Sequence, residues 1–117
     1  MNKSVTSNGL GAMPVPLTDQ SRSLLAPSNK APLAIEFWSF RCEACRKTAP
    51  VVSQIATAMA GKLTVYKVNA DENPRLVAEY NVPFVPYLVI QDGKGVTAFA
   101  EEWTLEQVQA ALNGKAS

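Results

Sequence analysis

This sequence predicts an α/β domain with a mixed central sheet covered by helices, on three observations. Short apolar runs alternate with segments of helical spacing, in the order β-α-β-α-β-α-β-β-α. Only the last two strands follow one another directly, across Asp92-Gly93, a hairpin turn signal. The chain has 117 residues, 47% of them hydrophobic and 18% charged, which suffices for one packed core without staples.

Taken in order, residues 1–12 are rich in Ser, Asn and Gly and read as a flexible tail, with the domain over 13–117. Met13 to Leu17 contains two prolines, which fit an edge strand and exclude a central one. Thr18 offers an N-cap, and Asp19 a favourable first-turn charge, for a helix over 19–26. A loop follows to Pro32. Leu33 to Trp38 is apolar except for Glu36 and reads as a buried strand. The next helix spans about Cys42 to Met59, with Pro50 placed to kink it and Gly61 to close it at C′.

Leu63 to Asn69 alternates as a strand. Asn73-Pro74, an N-cap followed by proline at N1, starts a helix over Arg75 to Tyr80, and Asn81, which tolerates left-handed backbone, stops it. Strands over Tyr87 to Gln91 and Val96 to Ala100 flank the hairpin turn. Thr104 and Gln107 form a capping box for a last helix to about Leu112. Its Leu105, Val108, Ala111 and Leu112 share one face, which packs on the sheet.

Composition excludes several functions. A formal net charge of +1 and the lack of any basic run interleaved with aromatics give no support to nucleic acid or an anionic membrane as partner. Histidine is absent, which removes most zinc sites and any Cys–His catalytic pair. No apolar stretch approaches the roughly 20 residues that span a bilayer. The first residues lack the apolar core of a signal peptide, so the chain as written is expected in the cytoplasm; a chain whose leader had been removed would read the same way. No cofactor and no metal is expected, and the chain is expected to be a monomer.

The chemistry concentrates at Cys42-Glu43-Ala44-Cys45, where a strand gives way to a helix. Two cysteines at this spacing are a dithiol–disulfide candidate. A helix N-terminus carries partial positive charge and free N–H groups, and both stabilise a thiolate at Cys42. Cys45 then lies within reach of a mixed disulfide formed at Cys42. Plainer readings exist for each residue. The cysteines could be buried small apolar groups. Glu36 could sit at a strand edge with its head in water, Lys67 could be a solvated lysine, and Trp38 is a core residue first.

Several separated features together resemble the thioredoxin family: Leu17-Thr18-Asp19, Phe37-Trp38, Cys42-x-x-Cys45, Arg46, Pro50, Lys67-Val68-Asn69, Asp71, Asn73-Pro74, Tyr80 and Val85-Pro86. The likeness covers Leu17 to about Leu112 and implies a thioredoxin fold with thiol–disulfide oxidoreductase activity, most directly reduction of protein disulfides. It implies Cys42 as the exposed nucleophile and Cys45 as the buried resolving thiol. Pro86 matches a proline with a preceding cis bond that lies against the disulfide, and the backbone of Val85 would then offer hydrogen bonds to a client polypeptide. Glu36 stands where the family keeps a buried aspartate. Burial should raise its pKa until it can take the proton of Cys45, with Lys67 as its partner. Trp38 would pack beside the site. Implied partners are disulfide-containing proteins and a reductase or dithiol donor for recycling.

The sequence departs from that pattern at several points. Glu43-Ala44 replaces Gly-Pro, and Arg41 replaces a surface tryptophan, with opposite effects on the Cys42 thiolate. Phe84 and Glu102 (Glu101 if the register slips) stand where glycines let partners approach, which narrows the client set. Besides a general reductase, the residues therefore admit a redox protein dedicated to one client, or a binding module on the same scaffold. A metal site would need a second subunit to complete it.

Overall fold

Strand β2, Leu33–Trp38, is buried on both faces, and its alternation sorts the core into two layers. The computed structural model describes residues 13–25, 32–92, 95–100 and 103–114. The expected tail over 1–12, the tip of the hairpin turn, and Glu101 and Glu102 lie outside the described residues. Ala34 packs on one face with Val52, Ile55, Val65, Leu88, Ile90, Trp103 and Val108. Ile35 and Phe37 pack on the other with Leu17, Leu25, Val68, Leu76 and Val89. A strand covered on both sides must be apolar throughout, which is why Glu36 stands out in it.

The sheet has five strands in the order β1-β3-β2-β4-β5. β1 (Val15–Pro16) runs parallel to β3 (Thr64–Asn69), which runs parallel to β2. β4 (Tyr87–Asp92) and β5 (Gly95–Ala100) add on antiparallel. β1 is two residues at the edge, as its prolines require. The helices are α1 (Glu43–Ala58), α2 (Pro74–Glu79) and α3 (Leu105–Gly114). α1 buries Cys45, Thr48, Val52, Ile55 and Ala56, a stripe at helical spacing turned to the first core layer. α1 runs through Pro50 as one continuous helix. Gly61, at φ +82°, takes the left-handed conformation one place later than expected, since Met59 is the cap residue.

The helix expected over 19–26 is a correction. The chain forms only a 3₁₀ turn at Arg22–Leu24. The start forms as signalled, the Thr18 N–H donating to Ser21 Oγ at 2.9 Å and the Ser21 N–H to Thr18 Oγ1 at 3.1 Å. What the local signals omit is the hold of the α2 segment on Asp19. Asp19, meanwhile, caps α2 rather than its own segment. Its carboxylate accepts from the N–H groups of Arg75 (3.2 Å) and Leu76 (3.0 Å). Asn73 holds the N-cap position, but its side chain is turned to other work: Oδ1 accepts from the Asp19 N–H and Nδ2 donates to the Asn69 carbonyl, both at 2.9 Å.

The other ends follow their signals. Asn81 stops the α2 segment at φ +53°. At α3 the capping box closes in both directions: the Thr104 N–H donates to Gln107 Oε1 at 2.8 Å, and the Gln107 N–H to Thr104 Oγ1 at 3.1 Å. Because α2 is only six residues long, its cap from Asp19 carries unusual weight. Asp19→Ala is expected to lower stability by about 1–2 kcal/mol, while Asp19→Asn keeps most of it. Urea unfolding checks this as a lower midpoint at an unchanged slope.

Candidate active site

The site lies at the end of the sheet where β2 stops and β4 begins. The Ala70 N–H donates to the Trp38 carbonyl at 2.8 Å, holding the ends of β2 and β3 together. A tight turn follows. Ser39 Oγ donates to Asp71 Oδ2 at 2.7 Å and accepts from the Arg41 N–H at 3.2 Å, while the Ser39 carbonyl accepts from the Cys42 N–H at 3.1 Å. The turn delivers Cys42 as the N-cap of α1, in extended backbone at φ −92° and ψ 107°.

There the Cys42 sulfur accepts the Cys45 N–H at 3.0 Å. A sulfur in that position takes the place of the usual capping oxygen, and the same N–H and the helix dipole favour its ionised form. Cys42 and Cys45 form a disulfide with Cα atoms 5.2 Å apart, inside the usual range. Cys45 is 5% exposed, and Cys42 is more open. Cys42 is therefore the more accessible residue of the pair, and Cys45 is turned into the protein.

Behind the disulfide stands Glu36, 4% exposed, so the solvated strand-edge reading does not hold. Its burial pushes the carboxyl up from 4.5 to about 7; a hydrogen bond from Thr48 and the charge of Lys67 oppose that rise. Thr48 Oγ1 lies 3.4 Å from Glu36 Oε2 and 3.1 Å from the Cys45 carbonyl. Lys67 is in register with Glu36 across the β2–β3 pair and is half-buried. A cavity of about 280 Å³ joins these groups, lined by Glu36, Trp38, Ser39, Phe40, Cys45, Arg46, Ala49 and Lys67. Trp38 meets Phe40 edge-on, with ring centroids 4.7 Å apart.

The remaining expected residues surround this centre. The Val85–Pro86 peptide is cis. Pro86 is buried and Val85 half-buried at the entry to β4, whose Tyr87 pairs with Phe37 of β2. Arg41 is exposed one residue before Cys42. Phe84, 48% exposed, stands beside Tyr87 with centroids 6.2 Å apart. Among the described residues no group of three or more His, Cys, Asp and Glu is placed to hold a metal ion. No described helix is long and apolar enough to cross a membrane.

Sequence reasoning missed Thr48 and Ser39. Thr48 carried a signal, since it lies three residues after Cys45 on the buried stripe of α1. Ser39 had none, because its role depends on Asp71, 32 positions away.

A five-stranded sheet of this order, with a CxxC pair at a helix N-terminus and a buried acid behind it, defines a thiol–disulfide oxidoreductase. Comparison with known proteins narrows the class. Residues 16–114 match the thioredoxin family profile, and the chain belongs to the thioredoxin family. It is 34% identical over 97 residues to the thioredoxin of Alicyclobacillus acidocaldarius, covering 82% of this chain and 91% of that one. To thioredoxin 1 of Nostoc sp. it is 38% identical over 77 residues, 66% of this chain and 72% of the relative. To thioredoxin 1 of Synechococcus elongatus it is 36% identical over 81 residues, 68% and 76% respectively. The protein is a disulfide reductase of this family, acting on protein disulfides and recharged by a reductase or dithiol donor.

Glu36 ties this site to stability. The folded protein holds the Glu36 proton more tightly than the unfolded chain, so its stabilising contribution is complete below pH 4.5 and is lost as pH rises to about 7. The loss amounts to about 3 kcal/mol. Oxidised Glu36→Gln is expected to escape it, so its urea midpoint relative to wild type rises across that window and levels off above it.

Proposed function

We propose that Cys42 is the attacking thiol, Cys45 the resolving thiol, Glu36 the proton acceptor for Cys45, and Lys67 the cation that keeps ionised Glu36 tolerable. The observation that carries this reading is the division of labour between the sulfurs. Cys42 is the open N-cap acceptor, and Cys45 is buried beside the cavity that Glu36 lines.

In the first step the Cys42 thiolate attacks a client sulfur. The client S–S bond breaks, a Cys42–client bond forms, and the other client sulfur leaves as a thiolate. In the second, Cys45 gives its proton toward Glu36 and attacks Cys42 Sγ. The mixed disulfide breaks, the Cys42–Cys45 bond forms, and the client leaves reduced by two electrons. Thr48 steadies Glu36, and a carboxyl near 7 is matched to receive a proton at neutral pH. Trp38, Arg41, Val85 and Pro86 form the client-facing surface, with the backbone of Val85 pairing to an extended client strand.

The domain over 13–117 carries this cycle as a monomer in the cytoplasm, with neither nucleic acid nor membrane as partner. The exposed side chains of Arg41 and Phe84 favour a narrower set of clients than a bare groove would accept.

The test is trapping. With insulin as substrate and dithiothreitol as electron source, Cys42→Ser is expected to fall to the rate of dithiothreitol alone. Cys45→Ser, reduced beforehand and freed of dithiothreitol, is expected to accumulate an insulin adduct on Cys42, seen by mass spectrometry. Glu36→Gln should slow client release on the order of 10²-fold and lose the inflection near pH 7. An adduct accumulating on Cys45 in the Cys42→Ser protein would reverse the assignment.

A further inference from the structure

The cavity beside the disulfide is larger than proton transfer requires. At about 280 Å³ it lies just below the roughly 300–1,000 Å³ of drug-sized sites, which suits one side chain better than a cofactor. Trp38, Phe40, Ala49 and Arg46 line it together with the more deeply placed Glu36, Cys45 and Lys67. Phe40 is 70% exposed, and Arg46 and Ala49 are exposed too, so the mouth opens outward. Phe40 meets Trp38 edge-on and keeps most of its surface in water, so the two rings form an apolar rim at the mouth.

Charge gives the mouth a sign. Arg46, Lys67 and Glu36 line it; the charge of Lys67 is turned to the buried Glu36, so the outer cation is Arg46, which belongs to no ion pair among the described residues. Arg41 and Lys47 add exposed positive charge around the cysteines, against Glu43. Asp71 and Glu72 follow β3 at the same end, but the Asp71 carboxylate accepts the Ser39 hydroxyl and neither residue lines the cavity. Distance permits contact with a bound client. Cys45, bonded to Cys42, lines the cavity, and an extended client advances about 3.3–3.6 Å per residue, so the side chains next to the attacked client cysteine are the ones placed near it.

We propose that this cavity is a client subsite, taking an aromatic or branched aliphatic side chain close to the client cysteine, with an acidic neighbour facing Arg46. The occupant is an extended segment of the client polypeptide. The subsite rests on the reductase reading and adds to it a preference for apolar-acidic surroundings of the disulfide. It lies on the Cys45 and α1 side of the motif, whereas Val85–Pro86 precedes β4.

Two peptides test it, each with one intramolecular disulfide and identical except that Phe-Glu or Ser-Lys follows both cysteines. Hydroxyethyl disulfide, which offers no side chain, is the reference substrate. Wild type is expected to show kcat/KM about tenfold higher for the Phe-Glu peptide, the discrimination one well-filled apolar pocket provides. Ala49→Leu fills the cavity from an exposed helical position with a good helix former, and should bring the ratio near one. Arg46→Gln should lower the ratio several-fold and weaken its dependence on salt.

The ratio cancels any general loss of activity in a variant. Equal rates for both peptides in wild type, with hydroxyethyl disulfide still reduced, overturn the subsite and leave the reductase standing. An unchanged ratio in Ala49→Leu overturns it as well. Failure to reduce all three substrates overturns the reductase reading and the subsite together.

Discussion

A sulfur that is to be ionised, reachable and bonded to its neighbour by turns has to sit where a helix begins, and the fold is arranged around meeting that demand. Cys42 occupies the N-cap of α1, accepting an N–H that would otherwise face water. That position is fixed only because β2 ends where it does. β2 is the middle strand, held on one side by β3 and on the other by β4, so its end is fixed from both sides. The Ser39 turn then transmits that position to the cysteine through three hydrogen bonds.

The same strand carries the greatest internal conflict. Burying Glu36 among Ala34, Ile35 and Phe37 works against stability at neutral pH, because among the described residues its ionised form has Thr48 and the nearby Lys67 to compensate for lost water. An apolar residue there would pack without that penalty. The burial that lifts this carboxyl to about 7 is the same burial that costs stability, so the two effects cannot be separated at this side chain. The α1 stripe, otherwise apolar, answers with Thr48.

Much of this was legible in the sequence because the signals were local. The capping box of α3, the proline start of α2, the left-handed Asn81 and the apolar run of β2 each depend on residues a few positions apart, and each appears where its chemistry places it. The junction of strand, CxxC and helix was equally local, and so the centre of the site was visible. The failures were non-local. Asp19 and Thr18 look like the start of a helix until one knows that Asp19 is bonded to Arg75 and Leu76. The Ser39–Asp71 bond and the cavity beside Cys45 arise from tertiary placement, which no spacing along the chain announces.

The disulfide closes a ring between residues only three apart within the first turn of one helix. Cross-links stabilise a fold mainly by restricting the unfolded chain, and the restriction grows with the length enclosed. So small a ring restricts little, and the strands and helices are held by contacts that do not pass through it. Oxidation state and architecture are therefore nearly independent: the molecule gains and loses two electrons without being asked to refold, and shape change need not contribute to turnover.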